Sequence, residues 1–298
     1  MSFREAPYGR VLTAMVTPMT SDGAVDLDGA ARLAAHLVDE GGCDGLVISG
    51  TTGEAPTTSD AEKESLLRAV VEAVGDRASV LAGIGTNDTA HSVELSRQAE
   101  KAGAHALLAV TPYYSRPPQA GLLNHFTQIA DATELPVMLY DIPARSGVPI
   151  ETDTLIRLAD HPRITSLKDA KGDNAATASV IARTDLAVYA GDDALTLPLL
   201  AVGAVGVVGV ITHVAGNQMR RLVEAFVGGD IDTARQVHHQ LLPVYTGMFR
   251  TQGLILAKAA LRCLGLPAGP VRAPLVDATD EQLDQLRRDL AEGGITLP

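Results

Sequence analysis

Ile164-Thr165-Ser166-Leu167-Lys168-Asp169-Ala170-Lys171-Gly172-Asp173 opens as a short apolar run between Pro162 and Gly172. Such a run, bounded by turn residues, reads as a buried strand. The run ends on Lys168. An amine at the end of a buried strand is poorly hydrated, which disfavours its ammonium form and lowers its pKa. A neutral amine so placed can attack a carbonyl carbon and form a Schiff base. Taken alone, a strand-end lysine more often snorkels its charge to the rim of a sheet. The rest of the chain decides between the two readings.

On either side of this stretch, short Val/Ile/Leu/Ala-rich runs alternate with helical patterns. Strands are expected at 11–16, 45–49, 79–84, 106–111, 136–140, 164–168, 186–190 and 205–210. Helices are expected at 27–40, from 60 to about 74, and at 91–101, 121–132, 152–159, 175–183, 194–201 and 217–227. Ser59-Asp60-Ala61-Glu62 has the spacing of a capping box and opens the second of these. Eight strand–helix units without a change of pattern predict a (β/α)8 TIM barrel, a fold of about 250 residues. An open doubly wound sheet is the alternative, but no GxGxxG follows the first strand. From Ile231 the pattern predicts two long helices and a terminal one opened by a second capping box, Thr279-Asp280-Glu281-Gln282. The expected division is a catalytic barrel over 1–230 and a C-terminal helical extension over 231–298.

Composition narrows the function classes. The 298 residues carry a formal net charge of −12 and no block of Lys or Arg, which argues against nucleic acid and against an anionic membrane surface. Cys43 and Cys263 are far apart and lack CxxC or Cys/His spacing, so neither a disulfide framework nor a zinc site is expected. The stretch Met1–Glu5 has no apolar signal core, and the most apolar region, around Leu197–Ile211, is interrupted by glycine and too short to span a bilayer. The expectation is a cytoplasmic protein.

Active sites of such barrels lie at the C-terminal strand ends. After the second strand comes Ser49-Gly50-Thr51-Thr52-Gly53-Glu54, where adjacent backbone N–H groups and hydroxyls suit a carboxylate. An ordinary glycine-rich turn is the plainer reading. The fourth strand leads to Thr111-Pro112-Tyr113-Tyr114, a pair of phenols that also suits an oligomer contact. The fifth ends Tyr140-Asp141-Ile142-Pro143-Ala144-Arg145. There a phenol can move protons and a guanidinium can hold a carboxylate, although both are common structural residues. Of five lysines, Lys63, Lys101 and Lys258 fall within helical patterns and Lys171 in a loop, so only Lys168 stands at a strand end. The seventh strand ends Gly191-Asp192-Asp193, with a glycine that lets a ligand approach the backbone. No carboxylate pair, Ser/His/Asp set or His/Cys cluster competes with this one. Imine formation with a 2-oxo acid, followed by making or breaking a carbon–carbon bond, needs this set.

In this order and spacing, Gly50-Thr51-Thr52-Gly53-Glu54, Thr111-Pro112-Tyr113-Tyr114, Tyr140 to Gly147, Leu167-Lys168-Asp169 and Gly191-Asp192-Asp193 resemble the dihydrodipicolinate synthase family of pyruvate-dependent class I aldolases. The resemblance runs from Thr13-Ala14-Met15-Val16-Thr17-Pro18 into the C-terminal helices. It implies that Lys168 forms the imine with pyruvate, that Thr51 and Thr52 bind its carboxylate, and that Tyr140 assists proton transfer. Tyr114, reaching in from a neighbouring subunit, would complete a relay with Thr51. Arg145 would bind aspartate-4-semialdehyde, with Gly191 and Val208 as further substrate contacts. A homotetramer built as a dimer of dimers is implied, with no metal or organic cofactor. The alternatives are an N-acetylneuraminate or 2-keto-3-deoxy sugar-acid lyase with the same imine chemistry, disfavoured by Thr51-Thr52, Tyr114 and Arg145, and a catalytically silent paralogue, disfavoured by the intact set. The positions matching the lysine-sensing site of regulated members are Ala55, Asp60, Lys63, Asn87 and His91. Lys63 sets a like charge against lysine, so weak or absent inhibition by lysine is expected.

Overall fold

The structure, a computed structural model, describes residues 4–297; the first three residues of the amino-terminal stretch read for a signal core lie outside it. Eight strands, β1 (Val11–Ala14), β2 (Gly45–Ile48), β3 (Ser79–Gly83), β4 (Ala106–Val110), β5 (Val137–Asp141), β6 (Ile164–Asp169), β7 (Ala187–Ala190) and β8 (Gly206–Gly209), pair in parallel and in chain order. β8 closes on β1. This is the (β/α)8 barrel that the alternation predicts. Its surrounding helices are α1 (Leu27–Asp39), α2 (Asp60–Val74), α3 (Thr89–Lys101), α4 (Gln119–Asp131), the one-turn α5 (Pro143–Ser146), α6 (Thr152–Ala159), α7 (Asn174–Arg183), α8 (Thr196–Ala201) and α9 (Thr212–Val227). Then follow α10 (Ile231–Met248), α11 (Gly253–Cys263) and α12 (Asp280–Glu292). Among the described residues no helix is long and apolar enough to cross a membrane.

Strand residues alternate between two buried surfaces, as a sheet covered on both sides requires. One set, including Leu46, Ile48, Leu107, Leu139 and Leu167, packs on the helices. The other, including Leu12, Val47, Leu81, Met138, Tyr140, Tyr189 and Val208, fills the barrel interior. Both capping boxes form, with Ser59 and Thr279 each exchanging hydrogen bonds with the residue three positions on.

At two strand ends that fall short of the sequence pattern, side chains have taken over the ladder. β1 stops at Ala14, and the Val16 amide donates to His213 Nε2 instead. β8 stops at Gly209 because the amides of Val210 and Ile211 both donate to Asp193 Oδ2. β6 runs one residue past Lys168: Asp169 pairs with Asp141 and Ala190, and its carboxylate is satisfied by Thr177 Oγ1 at 2.6 Å and the Lys171 amide at 2.9 Å. Lys168 is therefore the penultimate residue of its strand rather than the last. α9 begins at Thr212, five residues before the pattern suggested, with a break in helical geometry at Ala215.

In register, Lys168 lies between Tyr140 of β5 and Tyr189 of β7. The two phenols serve opposite ends of the barrel. Tyr189 points to the floor, where its hydroxyl donates to the Gly9 carbonyl at 3.0 Å and accepts from the Tyr8 amide at 3.3 Å. Removing that hydroxyl in Tyr189→Phe strands a buried amide and a carbonyl, so urea unfolding is expected to show a loss of about 1–2 kcal/mol. An unchanged midpoint would mean that the floor is not held this way.

Candidate active site

Lys168 is almost wholly buried, only 4% exposed, at the C-terminal mouth of the barrel. Burial pushes its pKa down to about 8; the Asp193 carboxylate opposes this shift and the Arg145 guanidinium adds to it. An amine with a pKa near 8 is roughly a tenth unprotonated at pH 7, some 300-fold more than an ordinary lysine. Its Nζ lies 4.3 Å from the centre of the Tyr140 ring. Burial also pushes the Tyr140 phenol up to about 12, against the lowering effect of Arg145, so the ring is a proton donor at neutral pH. Tyr189 is similarly raised by burial but belongs to the floor.

The loop after β2 faces this amine. Thr51 and Thr52 line a cavity of about 420 Å³ together with Lys168, Tyr140, Arg145 and Gly191. Within the loop the Gly53 amide donates to Gly50, the Glu54 amide to Thr51, and the Ala55 amide to Gly50. Among the described residues the Thr51 and Thr52 amides make no hydrogen bond, leaving two adjacent donors for an anion. The turn is tight: Ser49 and Glu54 both adopt positive φ, at 57° and 58°. At Gly83 an added Cβ would stand 2.3 Å from the Ser49 carbonyl, so only glycine admits this approach.

Arg145 rides on α5, a single turn that sequence periodicity is too short to reveal. Both ends of its loop are tied to one buried carboxylate. Asp141 Oδ1 accepts the Ile150 amide at 3.1 Å, and Lys171 bridges Asp141 (3.2 Å) to the Ile150 carbonyl (3.1 Å). Gly191 sits against the lysine stem, where a Cβ would meet Lys168 Cγ at 2.9 Å. Val208 is fully buried in the barrel interior, and Val210 rather than Val208 lines the cavity. Tyr114 lies apart from the others. It is 89% exposed, at φ 72°, on the rim of an adjoining cavity of about 550 Å³ that also reaches Thr51, Tyr140 and Arg145.

Several contributors escape the sequence reading. Tyr245, Phe249 and Gln252, from α10 and the turn into α11, close the Lys168 cavity on one side. Nothing in their spacing marks them, because they come from helices outside the eight repeated units. Asp193, which the sequence marks only as part of a glycine-led turn, is buried with its carboxyl pushed up to about 6 by burial. Among the described residues no group of three or more His, Cys, Asp or Glu is placed to hold a metal ion.

A closed parallel barrel that buries one amine beside a phenol, paired hydroxyls and free amides is the frame of a class I aldolase-type lyase. Comparison with known proteins narrows this class: residues 7–292 match the model of the dihydrodipicolinate synthetase family, and the chain belongs to that family. It is 69% identical over 295 residues to a 4-hydroxy-tetrahydrodipicolinate synthase of Acidothermus cellulolyticus, covering 99% of this chain and 96% of the relative. A second such synthase, from Streptomyces coelicolor, is 66% identical with 98% of each chain covered. Among solved structures, dihydrodipicolinate synthase from Cyanidioschyzon merolae, with lysine bound, superposes with a TM-score of 0.94 at 42% identity, covering 96% of this chain and 98% of the other.

Two consequences of the buried amine are measurable. The rate of its reaction with a small carbonyl compound is expected to rise with pH through about 8 and then level; a rise continuing to pH 10 would show an ordinary lysine. Because the folded-state pKa lies below the unfolded value, the cost is full below pH 8 and vanishes only above the unfolded value near 10.5. At pH 7 it amounts to about 3 kcal/mol. Lys168→Met is therefore expected to melt higher than the parent at pH 7, and a lower melting temperature would contradict that cost.

Proposed function

We propose that this protein condenses pyruvate with L-aspartate-4-semialdehyde to 4-hydroxy-tetrahydrodipicolinate, in the synthesis of diaminopimelate and lysine. The observation that carries the reading is the buried Lys168 amine sharing a cavity with the free Thr51 and Thr52 amides. That pairing suits a 2-oxo acid, with a carbonyl to attack and a carboxylate to hold. The aldehyde partner rests on the kinship, since the most similar relatives described above are named for this activity.

In this reading Lys168 Nζ attacks C2 of pyruvate while the Thr51 and Thr52 amides hold the carboxylate. The carbinolamine hydroxyl leaves as water, taking a proton from the Tyr140 phenol. The Tyr140 phenolate takes back a proton from C3, giving the enamine, whose C3 attacks the aldehyde carbon; the aldehyde oxygen is protonated through Thr51 and Tyr114. The substrate's own amine then attacks C2, the C2–Nζ bond breaks, and the ring closes with Lys168 restored. Arg145 holds the carboxylate of the aldehyde substrate and Gly191 leaves room beside the imine. The catalytic barrel is residues 1–230 and the helical extension 231–298. The working form is a cytoplasmic homotetramer, a dimer of dimers, in which Tyr114, exposed in the single chain, reaches into the site of a neighbouring subunit.

Regulation follows from the adjoining cavity, which Ala55, Asp60, Lys63, Asn87 and His91 line. Asp60 is engaged by His91 Nε2 at 2.9 Å and by Lys63 Nζ at 3.8 Å. A free lysine there would meet an occupied carboxylate and a like charge. Millimolar lysine is expected to leave the rate unchanged, and strong depression would overturn this.

A coupled assay, reducing the product with dihydrodipicolinate reductase and following NADPH, tests the function itself. A turnover of at least order 1 s⁻¹ is expected. Silence with the semialdehyde alongside cleavage of a 2-keto-3-deoxy sugar acid would move the chain to the sugar-acid lyases. Arg145→Ala is expected to raise KM for the semialdehyde about ten- to a hundredfold, the cost of a charge-assisted hydrogen bond, and to spare KM for pyruvate. Equal loss for both substrates would place Arg145 elsewhere.

A further inference from the structure

One buried ion pair is unused by the chemistry above. Lys258 of α11 is fully buried and donates from Nζ to Glu54 Oε1 at 2.5 Å and to the Pro270 carbonyl at 2.7 Å. Glu54, itself 2% exposed, accepts the Arg272 amide on its other oxygen at 2.7 Å. A fully buried ammonium and carboxylate are costly to desolvate, and an apolar pair of similar volume often serves the fold as well. The pair therefore calls for a reason beyond stability.

The reason lies in what Glu54 belongs to. It is the last residue of the loop that presents Thr51 and Thr52, and its backbone is held at φ 58°, outside the region a glutamate prefers. Its amide donates to the Thr51 carbonyl, and its own carbonyl accepts the hydroxyls of Thr57 and Thr58. Moving the Glu54 side chain therefore moves the carbonyl of Thr51 and the two free amides beside it. On the far side, Arg272 grips the same region: its guanidinium donates to the Thr57 carbonyl and pairs with Glu62. The carboxylate-binding loop of the barrel is thus tethered by its terminal residue to a helix of the C-terminal extension, more than 200 residues away in sequence.

We propose that Lys258 and Glu54 are positioning residues for the reaction, with the buried pair holding the Thr51–Thr52 loop in the conformation that binds the pyruvate carboxylate. The inference rests on the function proposed above. It predicts a selective defect. Weakening the tether loosens the two amides and lowers pyruvate affinity, while the amine of Lys168 and the aldehyde site at Arg145 stay as they were.

The test measures borohydride trapping against pyruvate concentration, without the aldehyde, on the full chain well below the melting temperature of each variant. Lys258→Met is expected to raise the half-saturating pyruvate concentration about tenfold with the same plateau of trapped chains, and in the coupled assay at saturating pyruvate its KM for the semialdehyde is expected to be unchanged. Glu54→Gln, which retains an acceptor for the Arg272 amide, is expected to raise the half-saturating pyruvate concentration about threefold. A folded variant of either kind with parental half-saturation would overturn the proposal and leave the pair a support of the fold alone. If Lys258→Met does not fold, Glu54→Gln decides by the same criterion. Failure of the parent chain to be trapped at all would remove the proposed function first, and this inference with it.

Discussion

Keeping one amine out of water is the constraint on which the rest of this molecule turns. An ammonium group in the barrel mouth is disfavoured by burial, and that penalty, about 3 kcal/mol at pH 7, favours the neutral amine of Lys168. A closed barrel suits the task because the flanking strands are fixed by register. Tyr140 and Tyr189 must stand on either side of Lys168, one facing the mouth and the other the floor. The cost is carried by the two buried surfaces of the sheet, where each fully buried Leu, Ile or Val contributes about 1.5–3 kcal/mol.

The loops around the amine share a second device. At four places on the rim a buried carboxylate accepts backbone amides from a loop that would otherwise have no ladder to join. Glu54 takes the amide of Arg272, Asp141 that of Ile150, Asp169 that of Lys171, and Asp193 those of Val210 and Ile211. All four acids are buried. Carboxylate acceptors make stronger hydrogen bonds to amides than neutral carbonyls do, so irregular backbone at the mouth is held as firmly as the strands beneath it. The Arg145 loop and the Thr51–Thr52 loop are both fixed in this way. Each uses an additional lysine, Lys171 for the first and Lys258 for the second.

Much of this was legible in the sequence because the barrel repeats. Eight apolar runs, each followed by a helical pattern, carry the fold whatever happens at any one of their ends, and the capping residues Ser59 and Thr279 announce helices through local bonds alone. The rim placement of the candidate residues at strand ends was legible for the same reason, since position in the repeat is position on the rim. What escaped was non-local. The early stops of β1 and β8 depend on His213 and Asp193, which lie near in space and far in sequence. The one-turn helix carrying Arg145 is shorter than any helical period. Lys258 read as an ordinary helical lysine because its partner is on another element. Tyr245 and Gln252 reach the cavity only because α10 and α11 fold back over the mouth.

The central claim is that Lys168, and no other lysine, is the nucleophile. The measurement that tests it most directly is reduction with borohydride in the presence of pyruvate, followed by mass mapping of the modified peptide. The account predicts one reduced pyruvate per chain on the peptide bearing Lys168, and none in Lys168→Met. An adduct on Lys171 or Lys258, or full labelling of the Lys168→Met chain, would contradict it.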